Sequence, residues 1–312
     1  MTPRIQFGWR TPDWPLPGSS GRELRDQWFA YLDAIEEHFD SAWVADHFFP
    51  WLSTLNQRLD VFEAWTTISY LLGRYRKIKL GSIVLSQSYR SPALLAKSAA
   101  TLQTLSGGRF ILGIGAGWKE NEYRAYGYDF PATSVRIAQL EEAVRVIRAM
   151  WTQESPSFHG TYYHIEAAYC NPRPDPMIPI MIGGGGRRLT LRVVAKYADW
   201  WNFPGGTLEN YASLLNTLRE HCNAVSRPYE DIVKTWAHDC VAVAETHEKA
   251  EEIARAHPLF DETAIFGTPD EVAAKIHPFV ELGVRHFIFR FADFPDPAGA
   301  LLFAREVMPR FI

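Results

Sequence analysis

The chain is short of cysteine, of long apolar runs and of basic clusters, and each shortage removes a class of protein. Its three cysteines, Cys170, Cys222 and Cys240, are odd in number, far apart and without metal-ligand spacing. They suit a reducing compartment better than a disulfide framework, so the cytoplasm is the expected location. No run of ~18 apolar residues occurs, which leaves no candidate membrane span. The amino terminus passes from Met1 directly into the strand-like Ile5-Gln6-Phe7-Gly8, without the basic segment and apolar stretch of a secretory signal. Lys and Arg total 32 against 36 Asp and Glu, a formal charge of −4. No block of Lys or Arg is long enough to follow a phosphate backbone, so nucleic acid is not an expected partner. A glycine triplet is also missing from the first strand-to-helix turn, which reads Trp9-Arg10-Thr11-Pro12 and argues against an open dinucleotide-binding sheet.

What the chain does have is alternation. Apolar residues at 47% and charged residues at 22% are ordinary for a globular chain with a large core. Residues 79–117 contain a complete crossover unit: a strand over 79–85, a helix over 92–105 opened by Ser91 and Pro92, and a second strand over 110–114. The same alternation runs through the rest. Strands are expected at 5–8, 41–45, 179–182, 200–203, 232–243 and 286–291, and helices at 21–37, 62–70, 135–151, 189–197, 208–225, 246–256, 269–282 and 298–311. Eight strands, each tied to a helix and with no break in composition, predict an α/β (β/α)₈ TIM barrel formed by a single domain over 1–312. Residues 152–178, which include the Pro-rich Asn171-Pro172-Arg173-Pro174-Asp175-Pro176, form an insertion between helix 4 and strand 5. Such insertions commonly serve as lids or walls over the active face.

In a barrel of this kind the chemistry lies just past the strand ends. The candidates there are Trp9 and Arg10, Asp46 and His47, Ser82 and Ile83 with Ser86, Gly115-Ala116-Gly117-Trp118 with Glu120 and Glu122, Gly183 to Arg187, Phe203, His238 and Arg290. His47 follows Asp46 at the end of an apolar strand and could act as donor, acid or base, although most histidines are structural. Gly183, Gly184, Gly185 and Gly186 stand between strand 5 and a helix. Their bare main-chain N–H groups and the helix dipole suit a phosphate, and Arg187 or Arg188 could add a bidentate contact. The Gly113, Gly115 and Gly117 turn alone is a weak signal, since glycines also mark close helix packing. Two glycine-lined strand ends on one face suggest a large planar ligand with a phosphorylated tail. Trp9, Trp118, Trp200, Trp201 and Phe203 could wall that pocket or serve the core.

Two other chemistries fit less well. A metal-dependent barrel hydrolase needs a pair of His at the end of strand 1, where the chain has Phe7-Gly8-Trp9-Arg10, so no metal is expected. A glycosidase needs two carboxylates across a cleft, and strand 4 ends in glycine.

With those residues in place, the chain resembles the bacterial-luciferase-like flavin and deazaflavin oxidoreductases over nearly its whole length. The resemblance is carried by Phe39-Asp40-Ser41-Ala42-Trp43-Val44-Ala45-Asp46-His47, Leu80 to Leu85, Leu112 through Gly117-Trp118 to Tyr126-Gly127, Phe158-His159-Gly160 with Tyr162-Tyr163, Pro179 to Gly184, and Gly267 to Val272. It implies a flavin-type ring in the barrel mouth, with His47 and Asp46 beside it as catalytic residues. Ser82-Ile83 would carry a non-prolyl cis peptide under the ring. Gly115 to Gly117 and the Gly183 to Gly186 loop would hold ring edge and phosphate. Joined to the reading of the strand ends, this puts Arg187 on the phosphate and Trp9, Trp118, Glu122 and Phe203 in the substrate pocket. The string Ala45-Asp46-His47-Phe48 is similar to the deazaflavin branch, so hydride transfer between coenzyme F420 and a small organic substrate is expected. The alternatives are an FMN-dependent two-component monooxygenase, served by a separate reductase that supplies reduced cofactor, and a non-catalytic flavin-binding protein. A homodimer follows from the resemblance as well. Trp118 departs from it, standing where sugar-phosphate-oxidising members carry an acid, a role that Glu120 or Glu122 would have to fill.

Overall fold

The computed structural model describes residues 4–311. Eight parallel strands close on themselves: β1 (Gln6–Arg10), β2 (Ser41–Val44), β3 (Lys79–Ser82), β4 (Phe110–Gly115), β5 (Ile180–Gly183), β6 (Trp200–Pro204), β7 (Val233–Val243) and β8 (Val284–Phe291). Each pairs with its neighbour in chain order, and β8 returns to β1 through Phe7 opposite Phe287. This is the expected (β/α)₈ barrel. The helices around it are α1 (Gly21–Ile35), α2 (Ala64–Arg74), α3 (Pro92–Ser106), α4 (Glu120–Ala125), α5 (Thr133–Thr152), α6 (Thr190–Tyr197), α7 (Leu208–Ala224), α8 (His247–Ala256), α9 (Pro269–Glu281) and α10 (Ala298–Leu302).

Local chemistry sets these elements. Ser20 and Glu23 form a reciprocal capping box that starts α1, whose buried stripe Leu24, Trp28, Tyr31, Leu32 and Ile35 faces the barrel. The apolar run at 79–85 divides: β3 ends at Ser82, and Leu85-Ser86 resumes pairing one step on, opposite Ile114 and Gly115. Ile265–Gly267, unmarked in the sequence, adds a parallel strand outside β7. No helix among the described residues is long and apolar enough to cross a membrane.

Alternate residues of each strand face opposite ways, which fills the barrel axis and the helix layer separately. Inside, Trp43 packs with Ile83, Ile111, Met181, Ala237 and Ile288. A Cβ at Gly81 would lie 2.3 Å from the Trp43 ring, so only glycine leaves that ring its place. Outside, Phe7 and Trp9 face the helices, and Trp9 stacks on Tyr31 of α1 with ring centroids 4.7 Å apart.

The 152–178 insertion does not cover the active face. It carries a hairpin, Phe158–His159 against His164–Ile165, whose turn donates the N–H groups of Thr161, Tyr162 and Tyr163 to the Glu142 carboxylate of α5. Its later residues lie on α3, where Gln103 donates to the Pro176 carbonyl. None of its residues lines the central cavity. The expected lid is a clamp on the outer helices, and the cavity takes its walls from segments near 46–51, 115–137 and 259–263.

Candidate active site

A cavity of about 850 Å³ opens at the carboxyl ends of the strands. Val84 rises into it between two glycines. A Cβ on Gly115 would lie 2.8 Å from one Val84 methyl, and one on Gly183 would lie 3.0 Å from the same side chain. Bare glycine at both strand ends thus makes room for the Val84 side chain, which a larger residue at either position would displace. The non-prolyl cis peptide is Ile83–Val84, one bond later than the expected Ser82-Ile83. Ser82 is fully buried and turned to Gly113, donating to its carbonyl at 2.8 Å and accepting its N–H at 3.0 Å. Ile83 lines the cavity; Ser82 does not.

Gly115, Ala116 and Gly117 form one edge, and Gly183 to Gly186 with Thr190 at the start of α6 form the next. The expected cation of this edge is misplaced. Arg187 turns away to the Ser213 carbonyl (3.2 Å) and Thr217 hydroxyl (3.0 Å) of α7. Arg136, in the first turn of α5, lines the cavity instead, lying over the Phe130 ring and donating to the Gly117 carbonyl at 3.4 Å. Among the described residues it has no carboxylate partner. Its signal in the sequence was a cation on the otherwise apolar stripe of α5, next to Ile137 and Leu140.

Also in the cavity, His47 Nδ1 lies 3.0 and 3.1 Å from the two Glu122 oxygens. Glu122 is buried and also accepts the Phe48 N–H at 3.0 Å and the Tyr89 hydroxyl at 3.4 Å. Burial and the Glu122 charge push the Tyr89 phenol far above its usual range, so it stays a neutral donor. With Nδ1 turned to the carboxylate, the ring is left with its Nε2 edge on the cavity side. Trp118, 60% exposed, stands edge-on to His47 at 5.7 Å, and Trp51 lies 6.3 Å away on the other side.

Asp46, expected to work with His47, is engaged elsewhere. Both its oxygens bind the Arg90 guanidinium, at 2.8 and 2.9 Å, and one also accepts the Ser86 N–H at 2.9 Å. It lines the cavity as the anchor of a buried ion pair. Trp9 and Phe203 leave the expected pocket altogether. Trp9 belongs to the helix layer, and Phe203 stacks outward on Trp201 beneath Gly185.

At the far end the sequence marked Arg10, His238 and Arg290 but none of the acids. Arg10, His238, Asp239, Leu259, Asp261 and Thr263 line it. Burial would raise the Asp13 carboxyl behind them, but Arg290 and Arg10 outweigh it and hold Asp13 at about 2. His238 accepts the Cys240 N–H on Nδ1, and its Nε2 lies 3.0 Å from the Thr263 hydroxyl. Burial depresses His238, so the ring is neutral. Among the described residues no cluster of His, Cys, Asp and Glu could hold a metal.

The family model described as luciferase-like monooxygenase matches residues 7–260. The F420-dependent glucose-6-phosphate dehydrogenase of Kineococcus radiotolerans is 30% identical, over 89% of this chain and 90% of its own. The enzyme of the same name from Amycolatopsis mediterranei is 29% identical, over 89% and 91%. An F420-dependent secondary alcohol dehydrogenase, solved with an F420-acetone adduct, superposes with a TM-score of 0.80 over 99% and 98% of the two chains at 21% identity. A monooxygenase from Streptomyces bottropensis superposes equally well, with a TM-score of 0.81 at 20% identity and coverage of 99% and 100%. At those identities the superpositions speak for the fold, which the monooxygenase and the dehydrogenase share. The chain belongs to the luciferase-like monooxygenase family.

Proposed function

We propose that the cavity holds coenzyme F420 and that the protein is an oxidoreductase acting on a small alcohol or its carbonyl counterpart. The observation that carries this is the Glu122-held His47, whose Nε2 is free on the wall of a cavity that Gly115 to Gly117 and Gly183 to Gly186 line with bare main chain. The sequence relatives near 30% identity are named for F420, which favours the deazaflavin over FMN. The residues present fit the group. Gly115 to Gly117 and Gly183 to Gly186 would lie along it, and Arg136 with Thr133 and Thr190 would meet its phosphate. When bound, F420 supplies or accepts a hydride.

The chain's own residues manage the proton and the surroundings. His47 Nε2 takes the hydroxyl proton of an alcohol as it is oxidised, and returns it in the reverse direction. Glu122 fixes the tautomer and stabilises the imidazolium that results. Trp51 and Trp118 flank His47 and shield that proton from bulk water. The same proposal extends to a cytoplasmic location, which rests on the three unpaired cysteines, and to a homodimer, which rests on the family resemblance.

An anaerobic assay tests the activity: oxidised F420 with a panel of alcohols, and reduced F420 with ketones and aldehydes, followed by the deazaflavin absorbance. Turnover is expected without oxygen. Oxygen-dependent turnover of reduced FMN, with no reaction of F420, would establish the monooxygenase alternative in its place.

A further inference from the structure

The charges at the far end of the cavity are matched among themselves. Arg10 Nη1 lies 2.5 Å from Asp239. Arg290, fully enclosed behind it, lies 2.7 Å from Asp13 and 3.5 Å from Asp239. Two guanidiniums therefore answer two carboxylates. Asp261, exposed at the rim of the same end, adds a third carboxylate with no basic partner among the described residues; one of its oxygens accepts the N–H and hydroxyl of Thr263. Asp239 Oδ1, for all its nearness to the two arginines, receives no aligned hydrogen bond, and Asp261 Oδ2 has no donor among the described residues.

A phosphate monoester brings ~1.5 to 2 negative charges and three acceptor oxygens, and needs free cations or clustered N–H groups. Only two cations lining the cavity lack a carboxylate partner among the described residues. Arg136 belongs to the cofactor edge, and Lys119 donates to the Trp51 carbonyl at 2.6 Å beside the Trp118 ring. Neither pairs with an acid of the far end, although Trp51, which holds Lys119, donates its Nε1–H to Asp13 at 2.7 Å.

We propose that the substrate end of this cavity takes a non-anionic, hydroxyl-bearing compound, whose O–H groups meet the free oxygens of Asp239 and Asp261, and that it turns away phosphate monoesters. Glucose 6-phosphate, the substrate in the names of the sequence relatives, falls in the excluded class. This rests on the oxidoreductase reading of the cavity, and it deepens that reading by naming what separates this chain from those relatives. The paired acids silence the arginines, so removing one acid should unmask them.

The test is a calorimetric titration of the F420-loaded protein with glucose 6-phosphate. Wild type, Asp239→Asn, Asp261→Asn and Lys119→Ala are compared, each at low and high salt. Weak binding is expected for wild type and Lys119→Ala. Asp239→Asn should tighten binding at least tenfold, and the gain should fade with salt. Asp261→Asn changes an exposed side chain, so it keeps the test open should Asp239→Asn fail to fold; it should tighten binding in the same direction. The inference is overturned if neither neutralising variant tightens binding, or if wild type binds tightly and loses that binding in Lys119→Ala. Loading with F420 is read first from the absorption spectrum. A protein that takes up no F420 refutes the cofactor assignment, and the same titration on that protein still decides the charge argument.

Discussion

His47 Nδ1 and the Glu122 carboxylate meet at 3.0 Å across seventy-five positions of sequence, joining the end of β2 to the short helix α4. This pair, and not His47 with Asp46, is the acid-base unit of the proposed reaction. Replacing His47 by Ala should lower kcat by roughly 10²- to 10⁴-fold, the usual range for a lost general acid or base. The dissociation constant for F420 should stay within about threefold, since the proposed phosphate contacts of Arg136, Thr133 and Thr190 do not involve His47. Glu122→Gln keeps the shape and loses the charge, so its loss of kcat should be smaller, about tenfold. Steady-state kinetics with a cofactor titration on each variant check both outcomes.

Asp46 should behave as a structural residue. Asp46→Ala leaves Arg90 buried with Glu63 alone and strands the Ser86 N–H. Removing one partner of a buried pair costs about 3 kcal/mol or more. Denaturant unfolding should show that loss. Asp46→Asn, which keeps the hydrogen bonds in part, should lose less.

Arg136 should be felt through phosphate. Arg136→Gln is expected to weaken F420 about 10- to 100-fold, the worth of a charge-assisted hydrogen bond or two. A deazaflavin analogue without phosphate should bind wild type and variant alike. Fluorescence titration with both ligands separates this from a general loss of fold.

Acid stability should depend on His286, buried in the barrel interior against Ser41 and Gln6. Burial holds it at about 3, and burial with the Arg290 charge holds His257 at about 4. Below pH 6.5 the unfolded chain binds protons that the folded one refuses, so this stability is full above 6.5 and falls as pH drops. By pH 4.5 the His286 share of the loss is about 2–3 kcal/mol. Asp293, raised to about 6 by burial, works the other way between pH 6 and 3.8, because its folded form keeps a proton that the unfolded form releases. His286→Gln should flatten the fall in unfolding free energy between pH 6.5 and 4.5 by about that 2–3 kcal/mol.

The strands were legible because each is a buried apolar run with a helix after it, and that signal is local. Facing was harder to read. Trp9 and Phe203 stand at strand ends, where an aromatic invites a pocket, but both lie on the outward side of the pleat. Their neighbours Arg10, Asn202 and Pro204 take the inward positions. Strand parity, counted from the interior Trp43, would have predicted this. Partnerships across many tens of residues, such as Asp46 with Arg90, have no local mark at all. The glycine edges were legible for the opposite reason, since a missing side chain is visible wherever it occurs. Arg187 misled because adjacency to a glycine loop does not fix where a long side chain turns.

The proposed chemistry stands on F420 as the occupant of this cavity. Apo protein titrated side by side with F420 and FMN, with binding read by fluorescence, tests it directly. Saturable F420 binding is expected at micromolar concentration or below, with FMN at least tenfold weaker. Tight FMN binding with no binding of F420 would contradict it.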